Sequence, residues 1–299
     1  MNVLISGSTG LIGSALGVRL EGEGHRVGRL VRPGGDAPAG EGDVAWDPAA
    51  GRIDAAGLEG WDAVVHLAGE SIARRWTAER KARIRDSRIV GTTLLCEALA
   101  GRERWPGALV CASGVGYYGD RGEEVLTEDA PPGEGFLAEV CAGWEAATKP
   151  AADAGIRVVN ARLAMVLSAE GGALRKMLRP FRMGLGGRIG SGRQYWSWVS
   201  LADAVSAICH ALGTAALRGP VNLASPGPVT NRQFTRDLAR VLGRPAVLPL
   251  PGFAARLLLG EMAEGLLLAS ARLRPRKLLE SGFGFRHAEL APTLCELLA

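Results

Sequence analysis

Short apolar runs alternate with longer stretches of mixed polarity through the first half of the chain. Val3–Ser6 is the first run, with the length and character of a strand buried on both faces. Ser14–Glu21 follows as a helix, closed by Gly22 and Gly24. Val27–Val31 is a second strand, broken by Arg32-Pro33-Gly34-Gly35 and followed by a polar loop to Gly42. Ala63–Leu67 is another buried strand, and Trp76–Ala100 is a long helix ended by Gly101. Ala108–Ala112 then reads as a strand, Leu137–Ala154 as a helix stopped by Gly155, and Ile156–Ala161 as a strand. Strands alternating with helices predict βαβ units, so the expected class is α/β with a doubly wound parallel sheet of Rossmann type.

The pattern changes near Ser168. A helix carrying Leu174, Met177, Leu178 and Phe181 leads into the glycine-dense segment Gly184–Gly192. Tyr195–Val199 reads as a strand, Leu201–Leu212 as a helix and Val221–Ala224 as a strand. Thr230–Leu242 is a helix with Thr230 as its N-cap. What remains is helical and punctuated by proline. A second, smaller, mostly helical domain is expected from this part.

Composition narrows the function classes. The formal net charge is +4 with a pI of about 9.0, too small a bias to argue for nucleic acid. Nearly all the positive charge is arginine, because only Lys81, Lys149, Lys176 and Lys277 are lysines. The run Arg74, Arg75, Arg80, Lys81, Arg83, Arg85, Arg88 reads as a solvated helix face, with phosphate contact as the other reading. The Arg272–Lys277 cluster reads as an exposed helix end. The most apolar segment, Phe253–Leu268, is interrupted by Arg256, Glu261 and Glu264, so no membrane span is expected. Cys96, Cys111, Cys141, Cys209 and Cys295 are too scattered for a local zinc or redox pair, and no metal site is expected. Met1–Leu20 lacks the charged start of a secretory signal and carries spaced glycines instead, which points to a cytoplasmic protein.

Those glycines supply the first chemistry. A buried strand, then Gly7-x-x-Gly10-x-x-Gly13, then a helix is the form of a dinucleotide-binding turn. Glycine permits the tight turn, lets backbone amides approach a pyrophosphate and lets the helix pack on the strand. The expected cofactor contacts are therefore Gly7, Thr9, Gly10, Leu11, Ile12 and Gly13. Leu67, Ala68 and Gly69, with Glu70, mark a second strand end on the same carboxyl edge. Glu70 beside a pyrophosphate is odd, and pairing with Arg74 at the i,i+4 spacing is its alternative.

Together these residues resemble the extended short-chain dehydrogenase/reductase superfamily. The similarity rests on GSTGLIG, on Asp62–Gly69, on Gly91-Thr92 and on Tyr118-Gly119-Asp120. It sharpens to atypical epimerase-family proteins with a C-terminal domain of unknown function. Their motifs stand here as His66–Trp76, Ser87–Thr92, Ser113–Asp120, Phe136–Glu145, Gly171–Gly187, Ser197–Asp203, Pro228–Phe234 and Ser281–His287. The resemblance implies a Rossmann domain of residues 1–165 plus about 200–225. Residues 168–198 plus 226–299 then form the smaller substrate domain.

Most extended members use a Ser, a Tyr and a Lys in Tyr-x-x-x-Lys. Aligned on Glu145, Leu137 takes the Tyr position, Cys141 the Lys position and Gly114 the usual Ser position, with Ser113 just before it. Any catalysis must use other groups. Ser113 and Tyr117 are the candidates, Tyr117 being either a proton donor or a packed aromatic. Cys141 has no neighbouring His to activate it and reads as a small buried hydrophobe. Gln194 and Trp196 are placed in a substrate cleft between the lobes. Arg88 holds the position of an asparagine that approaches the cofactor in many relatives. NAD-preferring relatives end the second strand in an acid; here Val31 stands in that place and Arg32 follows, which predicts NADP(H). The expectation is an NADP(H)-dependent oxidoreductase acting on a small carbonyl, alcohol or nucleotide-sugar substrate. A catalytically silent NADP(H) sensor and a sugar-nucleotide epimerase or dehydratase are the alternatives.

Overall fold

The computed structural model describes residues 1–32, 40 and 42–299; the expected turn at Pro33, Gly34 and Gly35 lies outside them. Strands β1 (Asn2–Ser6), β2 (Arg26–Val31), β3 (Val44–Asp47), β4 (Arg52–Ile53), β5 (Ala63–His66), β6 (Ala108–Gly114), β8 (Arg157–Leu163) and β12 (Gly219–Leu223) form one sheet. Their order is β12-β8-β6-β5-β1-β2-β3-β4, parallel throughout except for the β3–β4 hairpin. Between β2 and β5 lies β1, with Ser6 opposite both Leu30 and His66. This is the point where strand order reverses, and a crevice opens there above the carboxyl ends.

Both faces of the sheet are covered, as its apolar runs require. Val3, Ile5, Val65, Val110, Val159 and Val221 face α1 (Leu11–Gly22) and α6 (Leu201–Gly213). Leu4, Val64, Leu109 and Val158 face α2 (Ala78–Ala100), α3 (Phe136–Ala146) and α4 (Lys149–Asp153). Period-two alternation thus splits each strand between two cores. The expected helix Leu137–Ala154 is in fact two, α3 and α4, separated at Ala147 and Thr148, with Pro150 in the first turn of α4. Proline cannot donate a helical hydrogen bond, so it starts a helix better than it continues one.

A third core, away from the large sheet, gathers Leu174, Leu178 and Phe181 of α5 (Gly172–Arg182) with Phe234 and Leu238 of α7 (Asn231–Leu242). Leu290 and Leu294 of α11 (Leu290–Leu298) complete it. The expected strand Tyr195–Val199 is divided. Tyr195–Trp196 (β10) pairs antiparallel with β13 (Val229–Thr230), while Trp198–Ser200 (β11) pairs parallel with β9 (Met165–Leu167). Ser197 stands between them, its Oγ donating to Ala271 O and accepting from Leu273 N. Helices α8 (Gly252–Leu259), α9 (Glu261–Ala263) and α10 (Arg276–Glu280) lie in the remaining C-terminal segment between α7 and α11.

The Arg272–Lys277 cluster is not an exposed helix end. Arg272–Leu273 is a strand, β14, parallel to β7 (Val125–Leu126), and Arg276 opens α10 while pairing with Asp129 at 2.7 Å. Among the described residues no helix is long and apolar enough to cross a membrane.

Candidate cofactor and catalytic site

The glycine turn has the shape its spacing predicts. Gly7 has φ +68°, and a Cβ there would lie 2.9 Å from Ala68 N. A Cβ on Gly13 would lie 2.2 Å from Gly7 O, so only glycine lets α1 start against the turn. Thr77, Ser200 and Thr230 cap α2, α6 and α7 through their side chains; Gly10 gives α1 no such cap. The first-turn amides of Leu11, Ile12 and Gly13 therefore have no side-chain acceptor, and the positive end of the helix dipole stands over the crevice. A cradle that any side chain would fill, with uncapped amides behind it, suits the pyrophosphate of a dinucleotide.

Beneath the turn, Ser6 Oγ accepts from Leu67 N at 3.1 Å and Ala68 N at 3.2 Å. Its own proton must then go to His66 Nδ1, 2.7 Å away, which fixes the protonated nitrogen as Nε2, donating to Thr92 Oγ1 at 3.0 Å. His66 is fully buried, and desolvation pushes its pKa down to about 4. This neutral network ties β1, β5 and α2 together under the cofactor crevice. The resemblance marks His66 only as the start of a motif; its role here follows from the hydrogen bonds.

Glu70 does not pair with Arg74. Its carboxylate is held by Arg80 at 2.8 Å, ten positions on, because the chain between Gly69 and Thr77 is not helical. Arg74, Arg75, Arg83 and Arg85 are exposed, as expected of a solvated face, whereas Arg80 and Arg88 turn inward. Arg88 Nη1 donates to Glu70 O and Ile84 O at 3.0 and 3.1 Å, and a Cβ on Gly69 would lie 3.2 Å from its guanidinium carbon. Arg32 is exposed just beyond β2, two residues past the register partner of Ser6.

At the end of β6, Ser113 Oγ donates to Glu145 Oε1 at 2.7 Å. Arg162 on β8 clamps the same carboxylate through Nε and Nη2 at 2.7 and 2.8 Å. Its Nη1 donates to the Tyr118 hydroxyl at 2.9 Å, and Tyr118 donates in turn to Asn222 Oδ1 at 2.6 Å. Burial pushes the Tyr118 pKa up to about 12, and Tyr118 is a structural member of this network. Tyr117 lies with its ring centroid 3.5 Å from the Arg162 guanidinium carbon, and its hydroxyl makes no hydrogen bond among the described residues. Sequence reasoning missed Arg162. The one pointer was Glu145, whose buried carboxylate needed a cation.

Cys141 is buried and its thiol is pushed up to about 11 by desolvation, which makes it a poor nucleophile. Leu137, at the tyrosine position, packs over Gly116, where an added Cβ would meet Leu137 Cβ at 2.9 Å. Trp196 does not line a cleft: it is 8% exposed and packs edge-on against Phe234 at 5.3 Å in the third core. Gln194 does line an open cavity of about 590 Å³, with Asp120 and Gly122 just past Tyr118 and Phe253 of α8. Its amide nitrogen is spent on Ile189 O and Leu267 O, both at 3.0 Å, so only its oxygen remains to meet a ligand.

Residues 3–224 match the model of the NAD dependent epimerase/dehydratase family. The chain belongs to that family. Residues 250–297 match a domain of unknown function, DUF1731. An epimerase family protein of Mycobacterium bovis is 46% identical over 293 residues, 98% of this chain and 96% of its own. The human epimerase family protein SDR39U1 is 36% identical over the full length of both chains. A crystal structure of human SDR39U1 with NADPH superposes with a TM-score of 0.89 over 99% of each chain, at 36% identity. An NAD(P)-binding Rossmann core is thus shared across the family, and this chain's glycine turn has the residues to hold one.

Proposed function

We propose that the protein is an NADP(H)-dependent oxidoreductase acting on a small carbonyl, alcohol or nucleotide-sugar substrate without the Tyr and Lys of its superfamily. The observation that carries the cofactor choice is Arg32, exposed where β2 leaves the sheet, with Val31 in place of an acid. A carboxylate there would repel a 2′-phosphate; a guanidinium pairs with it in a charge-assisted fork. The NADPH bound to human SDR39U1 supports the same choice. Gly7–Gly13 and Leu67–Gly69 would hold the pyrophosphate side, and the bound dinucleotide supplies or accepts a hydride. Ser113, donating to Glu145, can accept a hydrogen bond from a substrate hydroxyl. Tyr117 brings an uncommitted hydroxyl as proton donor. Gln194 presents its amide oxygen to substrate from the cavity beside Asp120.

A second reading has its own support. Leu137 and Cys141 stand where Tyr and Lys belong, so the fold is equally that of a protein that holds NADP(H) as a sensor without turning it over. Titration of NADPH and NADH into wild type and Arg32→Ala tests the cofactor assignment. One charge-assisted contact is worth roughly 1.5–3 kcal/mol, so NADPH affinity should drop on the order of tenfold to a hundredfold while NADH binding holds. Equal wild-type affinity for the two cofactors would overturn it. Incubation with NADPH and a panel of carbonyls separates enzyme from sensor: oxidation with any of them supports turnover, and tight binding with none consumed supports the sensor.

A further inference from the structure

The superfamily's lysine is absent, yet the site does not lack a cation at that place. Cys141 and Trp144 share a face of α3 at the i,i+3 spacing. Arg88 reaches that face from α2, its guanidinium carbon 4.8 Å from the centre of the Trp144 ring. It lies close enough to Cys141 for its charge to draw the thiol pKa downward against the stronger upward push of burial. Glu70, the carboxylate that interacts with it electrostatically, is engaged by Arg80. Among the described residues Arg88 has no carboxylate partner, and its Nη2 and Nε make no hydrogen bond. A cation that is largely buried, held by two carbonyls and an aromatic face, and bonded to no carboxylate of its own, is costly to maintain unless something else uses it.

We propose that Arg88 replaces the missing lysine, its unspent Nη2 and Nε holding the ribose hydroxyls on the nicotinamide side of the bound dinucleotide. The chain has exchanged a cation on α3 for one on α2, whose longer planar fork crosses Gly69 to reach the same place. Gly69 is part of the arrangement, since any side chain there would meet the guanidinium. This assignment rests on the NADP(H) reading above and extends it from the adenine end to the reactive end of the crevice.

Binding alone tests it. NADPH spans the whole crevice, whereas adenosine 2′,5′-bisphosphate carries only the adenine half. Arg88→Met should weaken NADPH roughly tenfold or more and leave the bisphosphate unchanged, whereas Arg32→Ala should weaken both. Cys141→Lys in the Arg88→Met background should recover most of the lost NADPH affinity, because it restores the cation to α3. Unchanged NADPH binding by Arg88→Met would overturn the assignment. Equal loss of both ligands would do the same, because it would mark Arg88 as scaffold for the whole site. A selective loss that the lysine does not recover would reject the exchange of one cation for the other. Failure of the wild type to bind the bisphosphate at all would overturn the cofactor reading itself, a result distinct from these.

Discussion

A single buried imidazole shows how much of this site depends on one protonation state. His66 must accept at Nδ1 because Ser6 Oγ already accepts twice from the backbone of Leu67 and Ala68. A protonated His66 would turn two donors against each other beneath the glycine turn. Its folded pKa, about 4, lies below the 6.5 of a free histidine, so the unfolded chain binds the extra proton first. The stability it contributes is therefore complete above pH about 6.5, falls as pH drops toward about 4, and changes no further below that. The loss over that window is about 3 kcal/mol. Urea unfolding at pH 7 and pH 4.5 should show His66→Gln losing about 2–3 kcal/mol less between the two than the wild type does. Identical losses would show that His66 does not control the acid response. Cofactor affinity of the folded protein should weaken only as pH falls through about 4, where His66 takes up its proton and the network anchoring Leu67 and Ala68 is lost.

At the level of elements, the glycine turn is the part most rigidly specified. Gly13→Ala puts a methyl group 2.2 Å from Gly7 O, a backbone atom that cannot rotate away. Either α1 moves off β1 or the turn opens, and both displace the amides that face the pyrophosphate. The expected result is loss of measurable NADPH binding with about 1–3 kcal/mol lost from folding, read by titration and urea unfolding. Unimpaired binding would mean that the turn is not the phosphate cradle. That cradle was legible in the sequence because its signal is local: a buried run, three glycines at fixed spacing, then a helix. The long parallel strands were legible for the same reason, since burial on both faces writes a continuous apolar run. The two-residue strands β4, β7, β13 and β14 were not, and β10 was legible only as part of one longer strand with β11. Each is only two residues long, too short to show a period, and β7, β13 and β14 are defined by partners distant in sequence, as when Trp196 meets Val229 and Val125 meets Arg272. Arg162 escaped notice likewise: its partners Glu145, Tyr118 and Tyr117 lie on other elements, and no spacing along the chain announces a clamp between β8 and α3.

Across the whole molecule, the boundary between the two matched family regions is not a boundary in the packing. Leu278 of α10 is fully buried in the core of the large sheet, and Phe283 and Phe285 pack against that core. Asp203 at the start of α6 accepts from Arg286 N and His287 N at 3.0 and 2.9 Å. Asn222 on β12 donates to Arg274 O at 3.1 Å, and Ser225 Oγ donates to Ala288 O at 3.0 Å. On the opposite side of the crevice, Lys81 of α2 meets Glu261 at 2.7 Å, and Gly265 lies so close under Trp76 that a Cβ would sit 2.9 Å from its ring. The C-terminal segment thus both closes the Rossmann core and reaches across to the helix that carries Arg88. Its removal would take Leu278, Phe283 and Phe285 off the sheet core and expose the apolar surface they cover, at roughly 1.5–3 kcal/mol for a fully buried side chain such as Leu278 and less for the two half-buried rings. It would also remove the two backbone hydrogen bonds to the Asp203 carboxylate, roughly 1.5–3 kcal/mol for a bond to a charged group. Those losses together approach the whole stability of an ordinary domain, about 5–15 kcal/mol. A fragment of residues 1–249, which contains the entire epimerase match, should therefore lack a cooperative thermal transition and fail to bind NADPH. Circular dichroism melting of that fragment beside the full chain is the check. A sharp transition within a few degrees of the full-length protein would show that the Rossmann core stands without the segment woven into it.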